Sequence, residues 1–200
     1  MNKVTWAKNI GAALAVTMMT PTAATAQFSE SYNFLKAIRD RDGVKVTEII
    51  KKPGSVIIDT RDQSTGETGL HIVTLGRDVI WLNFLLSNAA KPDVRDNKGV
   101  TPLIIATKIR FAEGVTMLLR RGASVDLANN SGETPLIIAV QNRDLALVEQ
   151  FLTAGANPAK KDRVAGMSAR DYAVRDTRAS VILKAIDNAK PVKPAAGPKL

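Results

Sequence analysis

One imidazole, a series of turn aspartates and a column of arginines are the side chains of this 200-residue chain that could do chemistry. His71 is the only histidine, and histidine is the commonest general base. A single histidine and no cysteine exclude multi-histidine metal sites, thiolate zinc, cysteine nucleophiles, disulfides and a lipidated bacterial N-terminus. Ile104 and Ile137 stand 33 and 66 positions beyond His71, so the imidazole does not recur. Asp59, Asp62, Asp93, Asp96, Asp126 and Asp162 lie in turn-rich stretches, as calcium ligands would. Their spacing follows that same long interval and not the alternating ligands of an EF-hand, and turn and cap duty accounts for them. No Gly-rich phosphate loop, Gly-x-Ser-x-Gly elbow or His-Glu-x-x-His pair occurs. The expectation is no metal, no cofactor and no enzyme; an enzymatic reading would require turnover that is abolished in His71→Ala.

Arg77, Arg110 and Arg143 recur at the same interval, with Arg41 in an equivalent earlier place. Stacked, these four would line one edge and offer a basic stripe to an acidic partner or an anionic surface. Asp42, Asp78 and Asp144 each follow one residue later and partly neutralise it, which favours a plain solvated row. The overall charge of +9, from 28 Lys and Arg against 19 Asp and Glu, also invites a nucleic-acid reading.

The first residues weaken that reading. Lys3 and Lys8 precede the apolar run Ile10 to Met19, which is followed by small residues and an Ala24-Thr25-Ala26 pattern before Gln27. This is the order of a cleavable secretory signal over residues 1–26. Ten apolar residues reach roughly 15 Å as a helix, about half a bilayer core, so no membrane span is expected. Export would leave a periplasmic or secreted chain, remove two positive charges and take the protein away from chromosomal DNA. No nucleic-acid partner is expected.

The elements that must position these side chains repeat. Gly66, Gly99 and Gly132 are spaced 33 apart and open Gly66-Glu67-Thr68-Gly69-Leu70, Gly99-Val100-Thr101-Pro102-Leu103 and Gly132-Glu133-Thr134-Pro135-Leu136. Leu85-Leu86, Leu118-Leu119 and Phe151-Leu152 keep the register, as do Ala89-Ala90, Gly122-Ala123 and Gly155-Ala156. A further copy starts one residue late at Gly166, and a degenerate one precedes, with Ala37, Val46, Ile49 and Ile50 in the apolar places. Within a unit, Thr-Pro starts a helix. The run Leu136 to Val140 is too short and too uniformly apolar for a surface helix and reads as one buried between neighbours. Asp144 caps a second helix, which Gly155 ends. Neither helix can bury its apolar face alone, so the units must stack.

The period and the Thr-Pro-Leu openings resemble the ankyrin-repeat family. A tetratricopeptide array would instead need a period of about 34 residues and a different aromatic pattern. The resemblance is to an exported bacterial member. It implies an all-α repeat solenoid, an ankyrin stack of about five helix-turn-helix units with hairpin loops, spanning 27–189. The repeats fall at about 31–63, 64–96, 97–129, 130–163 and 164–189, and 190–200 is a Lys/Pro-rich tail, extended and mobile. His71 takes the family's structural histidine place. Gly69, standing where proline is usual, is expected to let its helix fray. The lateral column Trp81, Gly114, Leu147 and Val181 suggests that Trp81 fills the space over Gly114.

The family usually binds other proteins through hairpin tips and inner helices, at positions that vary between repeats. Carried onto this chain, those positions are Glu67 and Leu75; Asn97, Lys98, Val100, Lys108 and Ile109; Asn130, Ser131, Glu133, Gln141 and Asn142; and Arg175. Leu75 and Ile109 are expected to be neighbouring, exposed apolar residues in a polar rim. The expected function is a monomeric, non-catalytic scaffold that binds a protein partner on this concave face. The alternative is an anionic surface, lipid or acidic polymer, met by the arginine column and the basic tail.

Overall fold

The computed structural model describes residues 22–53 and 55–189. The core of the expected leader (1–21) and the tail (190–200) lie outside the described residues. Ten α-helices occur among those described: α1 (Thr22–Arg39), α2 (Gly43–Ile50), α3 (Gly69–Leu75), α4 (Val79–Ser87), α5 (Pro102–Lys108), α6 (Ala112–Arg120), α7 (Pro135–Gln141), α8 (Leu145–Thr153), α9 (Ala169–Arg175) and α10 (Ser180–Asn188). They form five pairs. The odd-numbered inner helices stack in order from α1 to α9, and among the outer helices α4 packs on α6 and α8 on α10. α1 begins at Thr22, inside the stretch the sequence assigns to the leader, and runs on through it.

The inner helices α5 and α7 start by the same chemistry. Thr101 and Thr134 accept hydrogen bonds from the backbone N–H of Ile104 and Ile137, both at 3.2 Å, with Pro102 and Pro135 in the first turn. Asp42, Asp78 and Asp144 cap α2, α4 and α8 by accepting from the N–H of Lys45, Trp81 and Leu147. Gly122 and Gly155 follow the outer helices at φ 84° and 90°. Their counterpart is Ala89, held at φ 66°, where an L-residue is strained.

A helix of two turns is not stable alone. In α7 every residue from Pro135 to Val140 is buried, leaving only Gln141 exposed. Leu70, Leu103 and Leu136 form one buried column, and Leu85, Leu118 and Phe151 another with no exposure at all. Fully burying each such side chain is worth about 1.5–3 kcal/mol. Each is completed by the neighbouring repeat, so stability depends on the interfaces.

Two sequence expectations are corrected, and Gly69 gains a packing role. The group over Gly114 is Phe111 of the same repeat, not Trp81: a Cβ on Gly114 would lie 2.3 Å from Phe111 Cδ1. The lateral column ends in Ile182, 4% exposed, while Val181 is 59% exposed. A short 3-10 turn, Thr177–Ala179, precedes α10 and shifts the register by one residue. Gly69 is buried, and a Cβ there would lie 2.5 Å from Ile38 Cδ1. Its lack of a side chain lets the first repeat pack close against the start of α3.

Candidate protein-binding face

The loops between repeats are built on one carboxylate or amide each. Asp62 accepts from the N–H groups of Ser64 and Thr65 and from the Ser64 hydroxyl. Asp96 accepts from Lys98 and Val100, and Asn129 from Ser131 and Glu133. Asp162 accepts from Val164, Ala165 and Gly166 and, on its other oxygen, from the Tyr172 hydroxyl at 2.6 Å. The Ser64 hydroxyl and the two backbone donors hold Asp62 well below the usual carboxylate range. At Asp162 burial opposes ionisation, but the Tyr172 hydroxyl and the three backbone donors outweigh it and lower its pKa.

Successive hairpins are then tied together. Gly66, Gly99 and Gly132 have φ of 76°, 73° and 81°, and a Cβ on them would lie 2.8, 2.8 and 2.7 Å from the backbone N of Asn97, Asn130 and Arg163. Glycine is needed there for both conformation and approach. It lets the N–H groups of Asn97, Asn130 and Arg163 bond to the carbonyls of Thr65, Lys98 and Ser131. The Asn97 and Asn130 amides add bonds to the carbonyls of Ser64 and Asn97. Arg61 and Arg95, which sequence reasoning does not single out, brace the same ladder: each Nη2 reaches the next hairpin's asparagine Oδ1 at 3.3 Å.

The arginine column exists, and each guanidinium bonds onward to the next repeat. Arg41, Arg77, Arg110 and Arg143 all have positive φ, 53–58°, at the turn between inner and outer helix. Each reaches one repeat onward. Arg41 meets Asp78 at 2.7 Å, and Arg143 meets Asp176 at 2.5 Å. Arg77 donates to the carbonyls of Ile109 and Arg110, and Arg110 to that of Asn142 at 2.5 Å. Arg77 also stands over the Phe111 ring, 5.6 Å from its centroid. These arginines staple neighbouring repeats.

His71 is fully buried. Its Nδ1 faces the N–H and hydroxyl of Thr68 at 3.1 and 2.9 Å, and its Nε2 lies 3.0 Å from the Val100 carbonyl. Burial lowers its pKa, against the opposing pull of the Val100 carbonyl. The ring therefore links the start of α3 to the next hairpin. Asp171 plays the equivalent capping part in the last repeat, accepting from the Ser168 N–H and hydroxyl. Asp59, Asp93 and Asp126 accept from the backbone N–H of Lys91, Ser124 and Asn157, one repeat on in each case. Among the described residues no three His, Cys, Asp or Glu gather as metal ligands.

The residues expected to contact a partner divide in two. Asn97, Asn130, Ser131 and Val100 belong to the hairpin ladder. Glu67 takes a hydrogen bond from Thr65, and Glu133 one from Asn129. The Asn142 amide binds the Thr107 carbonyl, Gln141 lies against the Tyr172 hydroxyl, and Arg175 reaches Met167 Sδ at 3.8 Å. Ile109 is half-buried against the core, so it does not form the expected exposed pair with Leu75. The side chains of Leu75, 57% exposed, and of the exposed Lys98 and Lys108 have no such engagement among the described residues, although the Lys98 backbone serves the ladder. The recurrence of asparagine at 97 and 130 and of glutamate at 67 and 133 was the available signal: a residue repeated at one offset serves the repeat.

No described helix is long and apolar enough to cross a membrane. A family model described as ankyrin repeats (3 copies) matches residues 70–162. A stretch of 104 residues, 50% of this chain, is 34% identical to the oxysterol-binding protein homolog 1 of Saccharomyces cerevisiae, but covers only 8% of that protein's length. With the stacked helix pairs, the glycine-pivoted hairpins and the Thr-Pro caps at one common spacing, this match identifies residues 70–162 as ankyrin repeats.

Proposed function

We propose that the protein is an exported, non-catalytic scaffold that holds a protein partner on its hairpin and inner-helix face, as ankyrin repeats generally do. The observation that carries the reading is the contrast on that face. Most polar side chains there bond within their hairpin or to the next repeat, whereas the side chains of Leu75, Lys98 and Lys108 stay exposed and differ in type from their counterparts. Side chains not needed by the stack are the ones available for a partner. The arginine edge is less suited to an anionic surface, because binding there would compete with inter-repeat bonds. Export rests on the charged, apolar and small-residue order from Met1 to Ala26.

Affinity capture from a cell-envelope fraction tests this with wild type, a Leu75→Glu/Lys98→Glu/Lys108→Glu variant and an Arg77→Gln/Arg110→Gln variant. The expected result is partner loss in the first variant and retention in the second. Equal recovery by all three would exclude the face, and loss only in the arginine variant would favour the basic edge. The N-terminal sequence of the exported protein checks cleavage after Ala26.

A further inference from the structure

α1 is 18 residues long, whereas α5 and α7 have 7. Among the described residues no hairpin precedes the first repeat, and α1 runs beside the first hairpin, joined there by the Thr60 hydroxyl to Ser31 at 2.8 Å. A cavity of about 260 Å³ remains between them. Leu35 and the ring of Tyr32, which is 64% exposed, give it apolar walls, and Arg39 and Arg61 face it with Ser31 and Ser64.

The charge in this cleft is unbalanced. Asp62 is the one carboxylate among its lining residues; Oδ1 accepts from the Ser64 N–H and hydroxyl and the Thr65 N–H, and Oδ2 from Arg39 Nη2. Arg39 uses only Nη2, at 3.2 Å; Arg61 uses Nε for the Gly66 carbonyl and Nη2 for Asn97. Nη1 of both arginines and Nε of Arg39 have no partner among the described residues. Spare guanidinium donors beside an apolar wall match a carboxylate with an aliphatic neighbour, since such charge-assisted bonds are the strong ones.

We propose that this cleft anchors the partner through a carboxylate, with the spare N–H groups of Arg39 and Arg61 donating to its oxygens and an adjacent apolar side chain resting on Leu35 and Tyr32. The proposal rests on the scaffold reading for its face and adds the chemistry of the partner: an acidic residue next to an aliphatic one.

The test is an NMR titration of the full chain with three peptides: acetyl-Ala-Leu-Glu-Leu-Ala amide, its Gln counterpart, and the Gln peptide with a free terminal carboxylate. The Glu peptide should shift the amide signals of residues 31–39 and 61–66. Its Kd should weaken by about tenfold or more in Arg39→Gln and in Arg61→Gln, the loss of one charge-assisted bond, and be unchanged in Lys184→Gln, an exposed position on the outer helix α10. Binding of the free-acid Gln peptide alone would identify a chain terminus as the source of the same carboxylate. Arg61 also braces its hairpin, so Arg39→Gln, which touches only Asp62, gives an independent reading once both melts are recorded. Indifference to Glu against Gln, no shift at the cleft, or a Kd unchanged from wild type in both arginine variants would overturn the anchor. Shifts confined to the surroundings of Leu75, Lys98 and Lys108 would do so while leaving the scaffold face intact.

Discussion

Replacing Gly114 by alanine sets two known effects against each other inside α6. Alanine is the better helix former by about 1 kcal/mol. Against that, the new methyl would lie 2.3 and 2.5 Å from Phe111 Cδ1 and Cε1 and 3.0 Å from Cγ. The ring cannot yield easily: Phe111 is 4% exposed, and Arg77 of the preceding repeat covers it. Overpacking of this kind costs about 1–3 kcal/mol, so Gly114→Ala should be destabilising by up to about 2 kcal/mol, and Gly114→Leu by more. Phe111→Ala will itself cost about 3–5 kcal/mol, but in that background the sign must reverse. With the ring gone, Gly114→Ala should stabilise by about 1 kcal/mol. Urea unfolding of the four proteins, followed by helical circular dichroism at constant m-value, gives the cycle directly. If Gly114→Ala is already stabilising in the presence of Phe111, the ring does not occupy that space and overpacking is refuted.

Three further substitutions probe the stack. Ala89→Gly should raise stability by about 1 kcal/mol, because φ 66° strains an L-residue; for a chain of this size that is about 2–4 °C in melting temperature, and a lower melt would contradict it. Arg110→Gln should destabilise by removing the bond to the Asn142 carbonyl. Arg110→Gly loses the same bond but is relieved of φ 53°, so it should exceed the Gln variant by about 1 kcal/mol, and the reverse order in thermal melts would refute the strain. His71 is neutral in the fold with its pKa below the ordinary 6.5. The unfolded chain therefore takes up the proton first, and stability falls as pH drops below about 6.5, by up to about 1.4 kcal/mol per unit. His71→Ile, which copies Ile104 and Ile137, should flatten the profile between pH 7 and 5; an unaltered slope would assign it to another group.

Much of this architecture was legible in the sequence because glycine, Thr-Pro and paired leucines each mark one geometric event and recur at one interval. The caps at Thr101, Thr134 and Asp144 and the stop at Gly155 follow from local rules alone. What could not be read was which side chain meets which across repeats. Phe111 and Trp81 are both large residues that the repeat register could bring to Gly114, and only the folded chain shows that Phe111 meets it. The register of α10 escaped because a 3-10 turn adds residues without a sequence mark as plain as glycine. The arginine column looked like a surface because spacing shows alignment but not engagement. Arg39 carries no periodic signature, Arg61 recurs only as Arg95, one residue off the 33-residue interval, and their cleft forms where α1 runs beside the first hairpin.

The central claim is that a partner lies on the hairpin and inner-helix face, and amide hydrogen exchange of the captured complex against the free protein measures that contact directly. Slowed exchange is predicted in the hairpins at residues 62–66 and 96–100 and in the last turns of α3 and α5, with the outer helices α4, α6 and α8 unchanged. Protection confined to the outer helices, or to the turns carrying Arg41, Arg77, Arg110 and Arg143, would contradict it.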